Sequence, residues 1–405
     1  VINRNLVVLA SIVFIDMAGI GLIVPVMPSL IQQLTGEGID RAAMLGGWLL
    51  FAYAAMQFLF APVIGGLSDR FGRRPVLLAT LALLGVDYAL MAAAPDITWL
   101  FVGRLVSGIM GASYAAANSC IADSIAPERR GAAFGMLGGA GAAGFVLGPA
   151  IGGLIGQFGD RLPFIAAAVL CLIGVVFGLL RFEETLDPAQ RRRFDPFRSN
   201  PFGTLVRMAR IPLVIGCLGA IFLMQLASQS QLSVWAYYGT LKFGWTPAIT
   251  GMTVALFGTL LVLTQGVLSG RMIARFGPVR TATVSLSFAV PSFLILAFAP
   301  STPVVILGMV IGCVPGMCFP AMQQLMSPRV AEDAQGELQG AIASVISLTA
   351  IIGPPMMTGV FAAYADDRGL LFPGAPFVLA AGLMAGSVAV LVVTLARHGR
   401  GEAAR

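Results

Sequence analysis

Apolar residues along this chain fall into twelve long runs separated by mostly short polar interruptions. The runs cover approximately 6–31, 43–67, 76–94, 97–121, 131–157, 162–180, 211–240, 248–272, 279–298, 303–326, 336–363 and 375–396. A helix needs roughly 20 apolar residues to cross the hydrocarbon of a bilayer, and each run comes close to or exceeds that length. None shows the strict apolar–polar alternation of a barrel strand, so the pattern predicts twelve membrane-spanning α-helices. One interruption is longer than the others. Residues 182–210 hold Glu183, Glu184, Asp187, the run Arg191-Arg192-Arg193, Pro196, Pro201 and Arg207. Such a stretch predicts a solvated linker near the lipid headgroups. It divides the chain into an N-terminal six-helix bundle, 1–181, and a C-terminal six-helix bundle, 211–405, with a short tail.

The two halves repeat each other. A shift of 205 residues lays Gly65, Arg70, Phe71 and Gly72 on Gly270, Arg275, Phe276 and Gly277. The same shift lays Gly103 on Gly308, Gly111 on Gly316, and Gly148-Pro149 on Gly353-Pro354. A period of half the chain is too long for a solenoid. It predicts two copies of one bundle related by a pseudo-two-fold axis, an all-α architecture found in transporters whose site lies between the copies.

Composition adds orientation. The chain is 58% hydrophobic and 11% charged. With the N-terminus placed in the cytoplasm, 20 of the 25 Lys and Arg fall in the N-terminus, the even-numbered connections or the tail. Four fall on the opposite side (Arg41, Arg161, Lys242, Arg368), and Arg104 lies inside a span. This positive-inside bias predicts a multi-pass membrane protein with both termini cytoplasmic. The basic balance then reports topology and contact with anionic lipid rather than nucleic acid. The five cysteines lack metal-ligand spacing, so neither a disulfide framework nor a metal site is expected. The first run is long for a signal peptide and carries Asp16, so it is expected to remain as a span.

One motif match fails on context, and a second motif lacks its key residues. Gly139-Ala140-Gly141-Ala142-Ala143-Gly144 fits a dinucleotide fingerprint but lies within a span, where no strand precedes it. A phosphate loop of the Walker type needs Gly-Lys, and the only lysine, Lys242, follows Leu241. No cofactor is expected, and uphill transport would draw on an ion gradient or on another subunit.

Ionisable residues within the bilayer cost about 2.5–3.5 kcal/mol each on insertion scales and are functional candidates for that reason. Asp16 and Asp87 lie deep in the first and third runs, and Arg104 lies one to two turns into the fourth. An acid placed so can bind or release a proton as water access changes; a permanent ion pair with Arg104 is the alternative. The 205 shift sends Asp16, Asp87 and Arg104 to Ile221, Ser292 and Met309, so the second half lacks these charges. Neutral polar and aromatic residues are the remaining candidates. Gln57, Tyr88, Asn118, Gln225, Gln229, Trp235, Gln323 and Gln324 could line a cavity for an amphipathic organic molecule or bond helix to helix.

Gly65-Gly66-Leu67-Ser68-Asp69-Arg70-Phe71-Gly72-Arg73-Arg74-Pro75 resembles the signature loop of the major facilitator superfamily. Gly103-Arg104 with Gly108 resembles the buried-arginine motif linked to proton coupling. Gly135, Gly144, Gly148-Pro149 and Gly152-Gly153 resemble the antiporter motif of the fifth span. The segments from Asp16 to Pro28, Gln57 to Pro62, Asp87-Tyr88, Ile121-Ala122-Asp123, Phe243-Gly244-Trp245 and 336–339 together resemble the twelve-helix tetracycline efflux proteins.

That resemblance implies a proton-coupled antiporter that exports an amphipathic drug by alternating access and is not an enzyme. In the family the substrate is a divalent-metal–tetracycline chelate. The resemblance gives proton-coupling roles to Asp16, Asp87 and Arg104. It also implies a cytoplasmic gate of Asp69, Arg70, Arg73, Arg74, Asp123 and Gly336, in which Asp69 meets the helix that begins near Gly336 and Arg73 pairs with Asp123. Family members carry a histidine in the eighth span and an aspartate in the ninth, and the matching stretches 258–266 and 288–298 hold neither. The substrate therefore stays open between such a chelate and a different amphipathic drug. A sugar, metabolite or lipid exporter and a non-transporting membrane sensor are the alternatives on this fold, and a functional monomer is expected.

Overall fold

Proline and glycine decide where the apolar runs bend and end. The computed structural model describes residues 4–111, 113–186, 208, 211–331, 334–365 and 371–403, with the backbone alone for 113–115, 127–128 and 399–403. Among them every regular element is helical. Span one is α1 (Arg4–Ile23), a 3-10 turn at Val24–Val26 and α2 (Met27–Thr35). Pro25 sits in that turn because it has no N–H to give to the preceding helix. Then follow α3 (Ile39–Phe71), α4 (Arg73–Ala92), α5 (Ile97–Met110), α6 (Ser113–Ser124), α7 (Pro127–Gly156) and α8 (Leu162–Arg181). Asp96 caps α5 by accepting from the Thr98 N–H at 2.8 Å.

The second half holds α9 (Pro212–Phe243), α10 (Pro247–Leu263), a π turn at Thr264–Leu268, α11 (Ser269–Ser287), α12 (Ala289–Phe298), α13 (Thr302–Gly312), α14 (Cys318–Met326), α15 (Gln335–Ala363) and α16 (Ala375–Ala403). Ten helical stretches among the described residues are long and apolar enough to cross a membrane. One of them, Pro247–Phe298, runs through two of the predicted spans, which part at Gly277 and Pro278. The span predicted over 97–121 is divided at Gly111 into α5 and α6. These two divisions account for the twelve predicted crossings.

By compactness the chain forms two units, 1–199 with 244–258 and 200–243 with 259–405. In the first, α1 packs on α7 and α8, while α4 packs on α8 and α5. In the second, α9 packs on α15 and α16, while α12 packs on α16 and α13. The packing order therefore repeats with the sequence. So does the turn geometry: Gly72 and Gly277, 205 residues apart, have φ of 106° and 79°, a region that side chains disfavour. The first unit takes in the start of α10 because Gly251 lies against the Pro149 carbonyl and Gly153 against that of Pro247. Of the expected linker, Phe182 and Leu186 are buried, while 187–207 and 209–210 lie outside the described residues.

Candidate functional site

Four helices of the first unit bring the rare membrane charges into one cluster. Asp16 on α1 and Asp87 on α4 are each 2% exposed, and Arg104 on α5 is 5% exposed. The Tyr53 and Tyr88 rings feel the charges of both Asp16 and Arg104, which places α3 and α4 around the same centre. Arg104 and Ser107 are the polar neighbours of Asp87. Gln57 donates to the Gly111 carbonyl at 2.8 Å and to the Tyr53 hydroxyl at 3.3 Å, so it braces the break between α5 and α6.

Arg104 is not in the permanent ion pair that sequence left open. Its guanidinium carbon lies 5.9 Å from the Tyr53 ring centre, and Nη2 donates to the Met91 thioether at 3.2 Å. Among the described residues it forms no ion pair. Asp87 Oδ2 is buried without a hydrogen-bond partner among them. Gly103 makes this arrangement possible: a Cβ there would lie 2.5 Å from Met91 Cγ and 3.0 Å from Asp87 Oδ1. Met91 and Ser107 were absent from the sequence candidates. Their signal was helical spacing, since Met91 is four residues after Asp87 and Ser107 three after Arg104.

The loop between α3 and α4 builds a second polar network. Arg73 bonds Asp69 at 2.6 Å and Asp123 at 2.8 Å, and donates to Ser68 at 3.3 Å. The Arg73–Asp123 pair expected from resemblance is present. Glu184, grouped by sequence with the linker, instead turns back onto this loop. It accepts the N–H groups of Arg73 at 2.9 Å and Arg74 at 3.3 Å, and so caps the start of α4. Arg74 also donates to the Leu179 carbonyl at 2.8 Å. Arg70 is exposed and stacks over Phe71, as Arg275 does over Phe276 in the second unit. Gly336 lies in the first turn of α15 with no group near the position a Cβ would take.

The glycines of the antiporter motif do different work. Gly144, Gly148 and Gly152 form one stripe of α7 against α1: added Cβ atoms would run into Phe14, Ala18 and Leu22 backbone oxygens, at 2.7 Å for Gly148. Gly153 instead faces α10, and Pro149 touches Gly21 and Gly251. Gly135 has nothing within 4 Å of a Cβ.

The cavity candidates have different local surroundings. Tyr88 belongs to the charge cluster. Trp235 is 4% exposed and packs in an aromatic core with Tyr238 and Phe377, at ring separations of 6.3 and 6.2 Å. Gln229 is buried across Gly353, and its Oε1 has no hydrogen-bond partner among the described residues. Gln323 donates to Gln339 at 3.4 Å, Gln324 is exposed, and Gln225 and Asn118 are half-buried. At the repeat position of Asp87, Ser292 donates to the Gly308 carbonyl at 2.8 Å. No group of three His, Cys, Asp or Glu that could hold a metal occurs among the described residues.

A multi-pass helical bundle with repeated halves and a buried acid–arginine cluster is a membrane transporter rather than an enzyme. The family model of the Major Facilitator Superfamily matches residues 9–354 and 217–404, and the chain belongs to that superfamily. It is 38% identical to the class C tetracycline resistance protein of Escherichia coli over 364 residues, which cover 90% of this chain and 91% of that protein. It is equally 38% identical to the class G tetracycline resistance protein of Vibrio anguillarum, over 90% of this chain and 92% of that one. Among solved structures, the human organic anion transporter MFSD10 shares the fold with a TM-score of 0.69 at 22% identity, over 96% of this chain and 99% of that one.

Proposed function

We propose that this protein is a proton-coupled antiporter that exports an amphipathic drug of the tetracycline kind by alternating access. The observation that carries the reading is the cluster of Asp16, Asp87 and Arg104, buried in a chain 38% identical to tetracycline resistance proteins. A proton taken onto Asp16 or Asp87 from the outer side is exchanged for a drug drawn from the cytoplasm or inner leaflet. Asp69, Arg70, Arg73, Arg74, Asp123 and Gly336 gate the cytoplasmic side. The proton gradient supplies the work, and the protein acts as a monomer in the bacterial inner membrane with both termini cytoplasmic.

A second reading concerns the cargo. With no histidine in 258–266 and no acid in 288–298, a drug carried without a metal ion is favoured over a chelate. Purified protein in liposomes tests both readings. Drug addition should drive protons across the membrane, and Asp16→Asn and Asp87→Asn, made singly, should show which acid is required. Binding without flux would instead mark a sensor. A drug-susceptibility panel in a pump-deficient host identifies the cargo.

A further inference from the structure

We infer that Met91 is a positioning residue for proton coupling: its thioether holds the Arg104 guanidinium away from Asp87 while that carboxyl carries a proton. The inference rests on the antiport reading above.

A buried guanidinium has five donors and takes a carboxylate where one is in reach. Arg104 has Asp87 as a polar neighbour, yet its ordered contacts are a sulfur at 3.2 Å and a ring face at 5.9 Å. Thioether sulfur is a weak acceptor, and a ring near 6 Å is at the limit of cation–π reach. The guanidinium is therefore held by soft contacts that a carboxylate would outcompete, while Asp87 Oδ2 is left without a hydrogen-bond partner. That combination suits a neutral carboxyl. When the proton leaves Asp87, the carboxylate draws Arg104 off the sulfur; when a proton returns, Arg104 goes back to Met91. Arg104 keeps its charge throughout, and only Asp87 gains or loses the proton. The other titratable groups around this centre are Asp16 on α1, Tyr53 on α3, Tyr88 on α4 and Cys171 on α8.

The second unit supplies an internal comparison. The 205 shift takes Asp87 to Ser292, Gly103 to Gly308, Arg104 to Met309 and Met91 to Leu296. The packing is kept: Met91 crosses Gly103, and Leu296 crosses Gly308 with its Cδ2 3.0 Å from a Cβ placed there. A branched aliphatic side chain thus fills this niche where no arginine is present. The sulfur accompanies the arginine and is not demanded by shape.

Two substitutions separate the roles. Met91→Leu keeps the volume and removes the acceptor. Met91→Gln keeps an acceptor of similar reach and adds polarity. The assay compares proton-driven uphill transport with drug–drug exchange at equal pH, in liposomes with matched amounts of correctly inserted protein. Met91→Leu should lose about fivefold in uphill rate, the worth of one modest hydrogen bond. Its exchange should stay within twofold, and Met91→Gln should recover the uphill rate. A structural role predicts the reverse order, with leucine tolerated and glutamine damaging both modes, and that result overturns the inference. Absence of uphill transport in the unaltered protein would overturn the antiport reading, whereas full uphill transport by Met91→Leu would overturn only the role of Met91.

Discussion

A charged side chain in an apolar run stands out because little except function or a partner offsets its cost. Asp16, Asp87 and Arg104 were therefore legible as candidates in the sequence. Their mutual arrangement was not, because Arg104 finds its acceptor in Met91, a residue that looks like ordinary core. The contacts of Glu184 were not legible for a related reason. Beside Glu183 it looks like the start of a solvated linker, and the two N–H groups it caps are 111 and 110 residues earlier in the chain. The two neighbours should respond differently to truncation. Glu184→Ala should lower the stability of the purified protein by about 1 kcal/mol, as loss of a helix cap does. Glu183 pairs with Arg4 at an exposed position, so Glu183→Ala should stay within about 0.5 kcal/mol. Thermal unfolding in detergent, followed for both variants, checks this, and equal shifts would show that Glu184 is not a cap.

At the scale of elements, the glycines of the α7 motif read in sequence as five equivalent positions. Packing separates them, since a glycine matters only where another backbone approaches it. Gly152 meets the Leu22 carbonyl, while Gly135 meets nothing. Gly152→Ala should therefore destabilise the protein by about 1–3 kcal/mol, the usual range for overpacking. Gly135→Ala should keep thermal stability or raise it by up to about 1 kcal/mol, because nothing stands where its Cβ would be and alanine favours the helix over glycine. Comparable melting temperatures for the two variants would mean that α1 and α7 do not approach as described. Helix breaks were more readable than helix contacts. Pro25 and Pro278 forbid a local backbone bond by their own chemistry. The approach of α7 to α1, by contrast, depends on what lies across from each glycine.

For the whole molecule, two predictions follow from asymmetry within a repeated scaffold. Asp69 is held by Arg73 at 2.6 Å, while the repeat position is Ala274. If the loop charges gate transport, Asp69→Asn should cut export severalfold with normal membrane insertion. Vesicle uptake normalised to protein amount checks this, and an unchanged rate would leave those charges with topology alone. The missing histidine and acid of the second half lead to the other prediction. Chelating divalent cations should leave drug export by everted vesicles within about twofold, because those stretches offer no carboxylate for a hard cation. Collapse of export on chelation would point to a metal complex as cargo.

Sequence by itself determined the class of this protein: twelve crossings, two repeated halves and deeply placed charges, Asp16, Asp87 and Arg104, in the first alone. These follow from composition and spacing, because lipid forces every apolar run into a helix whatever its neighbours. Only the tertiary structure decided which groups meet. It set Arg104 on Met91 rather than on an acid, brought Glu184 to the start of α4, put Trp235 into an aromatic core and gave the glycines of α7 different partners. Contacts between residues far apart in the chain depend on how helices lie against one another, and one-dimensional spacing carries no record of that.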